Sequence, residues 1–179
     1  MKKLIGILFT LVLMLNSCIS FSGGMIKHDV SVIGKENVVR IDGNYECKGY
    51  DGIGEKTTSF TLRNFSSNGY DKFTVKSIPL DSKNAYELQF TFLKGDTIAF
   101  SAKHQVRLKN GFFMVDNYKS GCSGIPYLYG SCEKSQSRIG LTKGGNLLIQ
   151  SYYHSSGGIF LFLWSGHTAN TVEKYRRIK

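Results

Sequence analysis

An all-β, mainly antiparallel fold in one domain is what this sequence predicts, and three observations predict it. Apolar and polar residues alternate with period two through run after run, turn-forming residues separate the runs, and no stretch longer than about ten residues carries a helical period. Alternation of this kind buries one face of a strand and wets the other, as in antiparallel sheets. Several short strands at this spacing make an up-and-down barrel or, second to it, a β-sandwich.

The first confident run holds Tyr45 and Cys47 between Glu46 and Lys48, and the next Phe60 and Leu62 around Thr61. Phe73 and Val75 alternate with Lys72, Thr74 and Lys76; Tyr86, Leu88, Phe90 and Phe92 alternate with Glu87, Gln89 and Thr91. Lys94-Gly95-Asp96 reads as a hairpin loop leading into Ile98 and Phe100, then Val106 and Leu108. Lys109-Asn110-Gly111 carries the Asn-Gly pair that favours a turn with positive φ. Lys143-Gly144-Gly145-Asn146 joins a strand over Arg138–Thr142 to one over Leu147–Tyr152, and Ser155-Ser156-Gly157-Gly158 reads as the turn before a strand over Ile159–Trp164. Thr168 to Tyr175 suits either one helical turn or a last strand.

Two segments break the alternation. Phe112 to Val115 and Ile159 to Trp164 are apolar on both faces. A neighbouring loop or terminal helix covering the second face is the expectation, because bare apolar strands aggregate; the functional alternative is a ligand cavity or partner surface lined by the aromatics.

The amino terminus has its own pattern. Lys2 and Lys3 precede an uncharged apolar run, Leu4 to Leu15, of signal-peptide length and too short to span about 30 Å of hydrocarbon. Leu15, Ser17 and Cys18 resemble the lipobox of bacterial lipoproteins. The resemblance implies cleavage before Cys18, acylation of that cysteine, and a membrane anchor in which each buried CH₂ contributes about 0.8 kcal/mol. Ile19 after the cysteine points to the outer membrane, facing the periplasm. The expected organisation is a signal peptide over 1–17, a lipidated tether over 18–37, and the antiparallel β domain over 38–179.

Lys and Arg number 23 against 13 Asp and Glu, a formal charge of +10. Losing Lys2 and Lys3 with the leader still leaves 21 basic residues against 13 acidic ones. Such a balance favours anionic partners (acidic lipid head groups, envelope glycans, nucleic acid) or simply solubility; no nucleic-acid motif accompanies it, and a hydrophobic envelope ligand would answer instead to the aromatic segments. After lipidation three cysteines remain. In an oxidising compartment Cys122 and Cys132 are the favoured pair, closing a Gly/Pro/Tyr-rich loop, while Cys47 faces the core as a small hydrophobe; pairing of Cys47 with either of the others is the competing arrangement.

Gly43-Asn44-Tyr45 on the first strand, with Arg176-Arg177 near the end of the chain, resembles the lipocalin and calycin pattern, in which a G-x-aromatic packs against a late arginine that closes the barrel. Tyr45 stands where Trp is usual. The resemblance implies an eight-stranded barrel able to hold one small ligand.

No catalytic set emerges. The carboxylates fall at turns or wet strand faces, and no nucleophile, base and orienting group can be named together. His28, His104, His154 and His167 show no ligand spacing; His154 and His167 flank the expected strand Ile159–Trp164 and so stand about 20 Å apart. No metal and no cofactor is expected. The loop from Asp116 to Ser137 holds Tyr118, Tyr127 and Tyr129, which combine apolar area with a hydroxyl. With Trp164 these are the candidate binding residues. The sequence therefore reads as a non-enzymatic, lipid-anchored binding protein of the cell envelope, with an interaction or inhibitor protein acting on an envelope enzyme as the alternative.

Overall fold

The computed structural model describes residues 21, 24, 26, 28–53, 69–115, 119–125, 129–159 and 163–178. The expected signal peptide, Cys18, the run around Phe60 and Leu62, and Tyr118 and Tyr127 lie outside these residues.

Among the described residues, twelve strands form one antiparallel sheet. They are β1 (Val30–Ser31), β2 (Gly43–Glu46), β3 (Tyr50–Ile53), β4 (Lys72–Pro79), β5 (Ala85–Lys94), β6 (Thr97–Lys109), β7 (Phe112–Val115), β8 (Lys119–Ile125), β9 (Tyr129–Thr142), β10 (Leu147–Ile159), β11 (Leu163–Tyr175) and β12 (Arg177–Ile178). A 3₁₀ helix, Lys35–Ile41, precedes β2. The order across the sheet is β12-β2-β4-β5-β6-β7-β9-β10-β11-β3, with β1 and β8 paired to β9. This path is not a closed ring. Its ends nevertheless belong to two long runs that meet: β12 follows β11 after Arg176 and pairs with β2, while β3 follows β2 and pairs with β11.

The turns follow their residues. Asn110 and Gly111 take φ of 52° and 80°, the left-handed conformation that the Asn-Gly pair tolerates, and Lys109 faces Phe112 across them. Gly95, with φ of 60°, turns β5 into β6. One expectation fails beyond that turn: Ile98 is 67% exposed and Phe100 42%. The register moves between Phe92, opposite Phe100, and Leu93, opposite Ile98, so Ala99 is an extra residue. A bulge of this kind interrupts the inside–outside alternation at Ile98, whereas Phe100 keeps its ring 5.9 Å from Phe92 and is left partly open.

The inner face of the sheet is aromatic. Phe73 is the centre: its ring lies 5.6 Å from Tyr45, 6.1 Å from Phe90, 5.5 Å from Phe92 and 5.5 Å from Tyr175. All five are 0–1% exposed, and Val75, Leu88, Val106, Phe113, Ile139, Leu141, Leu147 and Ile149 extend the same cluster. Each fully buried ring or branched side chain stabilises the fold by roughly 1.5–3 kcal/mol. Cys47 belongs to this cluster, 3% exposed, as its position in the first run predicts.

The outer face at β7, β9, β10 and β11 carries a second cluster, Phe112, Leu148 and Val172, closed by Ile26 with Val30 and Met114 packed against it. Packed structure therefore begins before Val38. Residues of the expected tether lie on the sheet: Val30 pairs with Thr142, and Lys174 Nζ meets Asp29 Oδ2 at 2.8 Å. This settles why Phe112 to Val115 is apolar on both sides. Phe113 and Val115 face the aromatic core, and the amino-terminal segment covers Phe112.

Candidate functional site

Four strands run on beyond the packed region as an arm. β8 and the outer halves of β9, β10 and β11 pair in register, so residues can be read in rows across them. Near the core, Ser137 and Ser151 hydroxyls lie 3.1 Å apart and Thr171 is also buried. Beyond the following two rows, which hold the buried Tyr152 and Ala169, Lys134 stands beside His154 and then Glu133 beside Ser155. Further out the rows consist of small residues, with Trp164 the exception. Cys122, Cys132, Ser156 and Gly166 form one, Ser123, Ser131, Gly157 and Ser165 the next, then Gly124, Gly130, Gly158 and Trp164. The last row is Ile125, Tyr129, Ile159 and Leu163.

Small residues are needed where strands crowd. Gly124, with φ of 124°, has backbone of Gly130 where a side chain would begin, 2.5 Å from a built Cβ, and Gly157 lies against the Gly130 carbonyl. The Cys122–Cys132 disulfide joins directly opposed residues of β8 and β9, Cα atoms 4.1 Å apart. Ser123 and Ser131 hydroxyls meet at 3.2 Å in the following row. The expected pairing of Cys122 with Cys132 is thus present, but it staples a hairpin and not a loop. Residues 119–125 and 129–142 are strands. Their Ser/Gly composition carries too weak an alternation to announce them.

The second hairpin corrects three further readings. Ser155 to Gly158 lie within β10 and form no turn. Ile159 pairs with Leu163, so the apolar segment Ile159–Trp164 is the end of a hairpin and not a strand. His154 and His167 consequently stand one row apart on neighbouring strands, opposite Thr168 and Ser155, and not about 20 Å apart as a strand between them would require. Successive rows point to opposite faces, so the two imidazoles do not converge. His154 Nδ1 is 2.9 Å from Thr168 Oγ1. Thr168 to Tyr175 is strand.

Of the candidate binding residues, Tyr129 is described in full: it is 55% exposed and ends β9. It lines an open cleft of about 600 Å³ with Ser123, Gly124, Gly130, Ser131 and Gly158. Trp164 is placed in the adjoining row, opposite Gly158. The structure therefore brings the tyrosine hairpin and the Trp164 hairpin to one end of the molecule. Sequence reasoning treated them separately, although a signal was present: no Asp, Glu, Lys or Arg occurs over 120–132 or 144–172.

At the base, the Arg138 guanidinium lies between the Phe21 and Phe112 rings, 4.4 and 4.3 Å from their centroids, and donates to Gln150 Oε1 at 2.8 and 2.6 Å. Burial lowers its pKa. Burial also pushes the Cys47 thiol up to about 11 and lowers His104, both inside the fold and away from the arm. Among the described residues no group of three or more His, Cys, Asp or Glu could hold a metal ion, and no helix is long and apolar enough to cross a membrane.

Compared with known proteins, the chain matches no family model, no curated protein and no solved structure.

Proposed function

We propose that this chain is a lipid-anchored binding protein of the bacterial cell envelope, non-enzymatic, held at the outer membrane through Cys18 and facing the periplasm. Its binding surface is the arm, not a cavity between the strands. The observation that carries this reading is the apolar row Ile125, Tyr129, Ile159 and Leu163 at the end of four charge-poor strands, one of which is stapled to its neighbour by a disulfide. A pre-organised surface of this kind binds with a reduced entropic cost. Filling of the interior by Phe73 and its neighbours supports the arm over an internal pocket.

We further propose that the body is a lipocalin-like up-and-down barrel. Read as runs, 43–53, 72–79, 85–94, 97–109, 112–125, 129–142, 147–159 and 163–178 each pair with the next, and the last pairs with the first. Support comes also from Arg177, whose guanidinium lies 5.7 Å from the Tyr45 ring centroid, the contact that the G-x-aromatic and late-arginine resemblance implies.

Envelope fractionation with mass spectrometry of the mature amino terminus tests the anchor and the location. The expected product begins at an acylated Cys18 in the outer-membrane fraction. An unmodified terminus in a soluble fraction overturns the proposal.

A further inference from the structure

We propose that one face of the arm, the one continuous with the core side of the sheet, is a carbohydrate-binding surface whose partner is an uncharged glycan chain. This rests on the arm being the binding surface, as proposed above, and names the chemistry of what it binds.

Alternation decides which side chains share this face. Residues two apart on a strand, and residues directly opposite across strands, point the same way. Outward from the buried Ser137 and Ser151, the face carries Tyr153, then Glu133, then Ser131 beside Ser123, and finally Tyr129. The Glu133 row continues through Ser155 to His167 on β11. Two contacts agree with this assignment. The Ser123 and Ser131 hydroxyls meet at 3.2 Å, and the Tyr153 hydroxyl lies 3.5 Å from Glu133 Oε1. Tyr129, Ser131, Glu133 and His167 are exposed, and Tyr153 is half-buried. The disulfide row and Lys134 belong to the opposite face.

The hydrogen-bonding inventory of the face matches that of a sugar. A serine hydroxyl both donates and accepts, whereas an ionised carboxylate only accepts. Adjacent hydroxyls on one sugar ring supply the donors that the two oxygens of Glu133 call for, in charge-assisted bonds. The contact from Tyr153 is at the long limit for a hydrogen bond and leaves that carboxylate with capacity to accept.

Tyr129 adds an aromatic platform. Its ring is 55% exposed at the end of β9. A sugar ring carries C–H groups on its faces and hydroxyls at its rim, so it stacks on an apolar ring face while bonding at the edge. Crowding between strands accounts for Gly124 and Gly130. It does not account for a large ring left open to water beside serine hydroxyls.

Shape and charge point the same way. The cleft beside Tyr129, about 600 Å³, falls within the size range of small-molecule sites. It is open, and the same face runs on from Tyr129 to the row of Tyr153, about 20 Å at roughly 3.3 Å per residue. An open strip of that length suits a chain laid along it. Among the described side chains of this face beyond Ser137, Glu133 is the one carboxylate and no Lys or Arg occurs, so a polyanion is repelled. A protein partner calls for an apolar centre to its interface, and between Tyr129 and Tyr153 the described side chains are hydroxyls, a carboxylate and an imidazole.

The test titrates the natural product, purified in a detergent without a sugar head group, with three tetrasaccharides followed by calorimetry. Two are neutral, of N-acetylglucosamine and of glucose; the third, of galacturonate, is acidic. The expected result is binding of at least one neutral chain with a Kd of roughly a millimolar or tighter, since each bond formed replaces one to water. The acidic chain should bind several-fold more weakly. Tyr129→Ala should weaken the neutral chain about tenfold, and Glu133→Gln should weaken it while narrowing the discrimination against the acidic one. Lys134→Ala, on the opposite face, should change nothing. No binding of either neutral chain, binding of the acidic chain as tight as theirs, or an affinity unmoved by both Tyr129→Ala and Glu133→Gln overturns the proposal. Mass spectrometry of the amino terminus in the same preparation separates the two readings. An acylated Cys18 in a product that binds neither neutral chain overturns the glycan surface and leaves the anchor standing. An unmodified terminus in a product that binds them overturns the anchor and leaves the glycan surface.

Discussion

The guanidinium carbon of Arg177 stands 5.7 Å from the centroid of the Tyr45 ring, and its two terminal nitrogens donate to the carbonyls of Arg40 and Asp42. The end of the chain thereby caps the last turn of the 3₁₀ helix, where backbone carbonyls otherwise lack partners. Tyr45 adds a bond from its own hydroxyl to Ile41 O at 2.7 Å. Gly43 belongs to the same contact, because a Cβ there would lie 2.5 Å from Arg177 Nη2.

Substitution should show this dependence. Arg177→Ala removes charge-assisted bonds from a half-buried site and is expected to cost about 2 kcal/mol. Gly43→Ala should destabilise the wild-type chain by crowding the guanidinium, and do far less in the Arg177→Ala background, where the obstacle has gone. Denaturant melts of both single variants and the double variant measure the coupling; strict additivity would refute a steric role for Gly43.

Phe73→Ala should be the most damaging change within the ring cluster, at roughly 3–5 kcal/mol. Four aromatic neighbours surround that ring and cannot all collapse into the space it leaves. Thermal unfolding by circular dichroism would register the loss as a large fall in midpoint, with Ile98→Ala, at an exposed position, as the near-neutral control.

Among the described residues, Cys47, Tyr45 and His104 give stability a pH dependence between the acid and alkaline ranges. Burial pushes Cys47 from 9.0 to about 11 and Tyr45 from 10.0 to about 12. Between the unfolded and folded values the unfolded chain has released protons that the folded chain retains, so stability falls with rising pH above about 9. His104 is lowered from 6.5 by burial. Below 6.5 the unfolded imidazole gains a proton that the folded one resists, and stability falls as pH drops. Urea midpoints across the range should therefore be highest between about 6.5 and 9, and Cys47→Ala should flatten the first part of the alkaline decline. The same burial predicts that a thiol reagent at pH 8 labels Cys47 after denaturation and not before.

Replacing Cys122 and Cys132 by Ser should loosen the arm and spare the body. Closure of a loop of this length is worth about 2–3 kcal/mol. Hydrogen exchange at the amides of Gly121 and Ser131 is expected to quicken by up to roughly a hundredfold, the equivalent of that energy in local opening. Amides beside Leu88 and Ile149, in the aromatic core, should be unchanged. A matching fall in whole-protein stability would show that the arm unfolds together with the body.

Much of the body was legible in order along the chain. Phe73 and Val75, or Leu88, Phe90 and Phe92, announce their strands because each buried residue is large, apolar and two positions from the next. The Asn110-Gly111 turn is equally local, set by the positive φ that those residues permit. The arm was not legible by the same means. Ser123, Gly124, Gly157 and Gly158 carry almost no alternation, so the outer half of β10 resembled a turn. The bulge at Ala99 likewise left no mark in the composition of Ile98 and Phe100.

The sequence by itself determined the all-β class and the core residues of β4 and β5, and it favoured the burial of Cys47 and the pairing of Cys122 with Cys132 over the competing bridges, because alternation and near-neighbour geometry are written over a few residues. Tertiary structure alone decided that the amino-terminal segment covers Phe112, that His154 and His167 fold back beside each other, and that Tyr129 and Leu163 flank Ile159 in one row. Those relations depend on strand register between segments far apart in the chain, and register is fixed by how all the buried side chains fit together, not by any one run of residues.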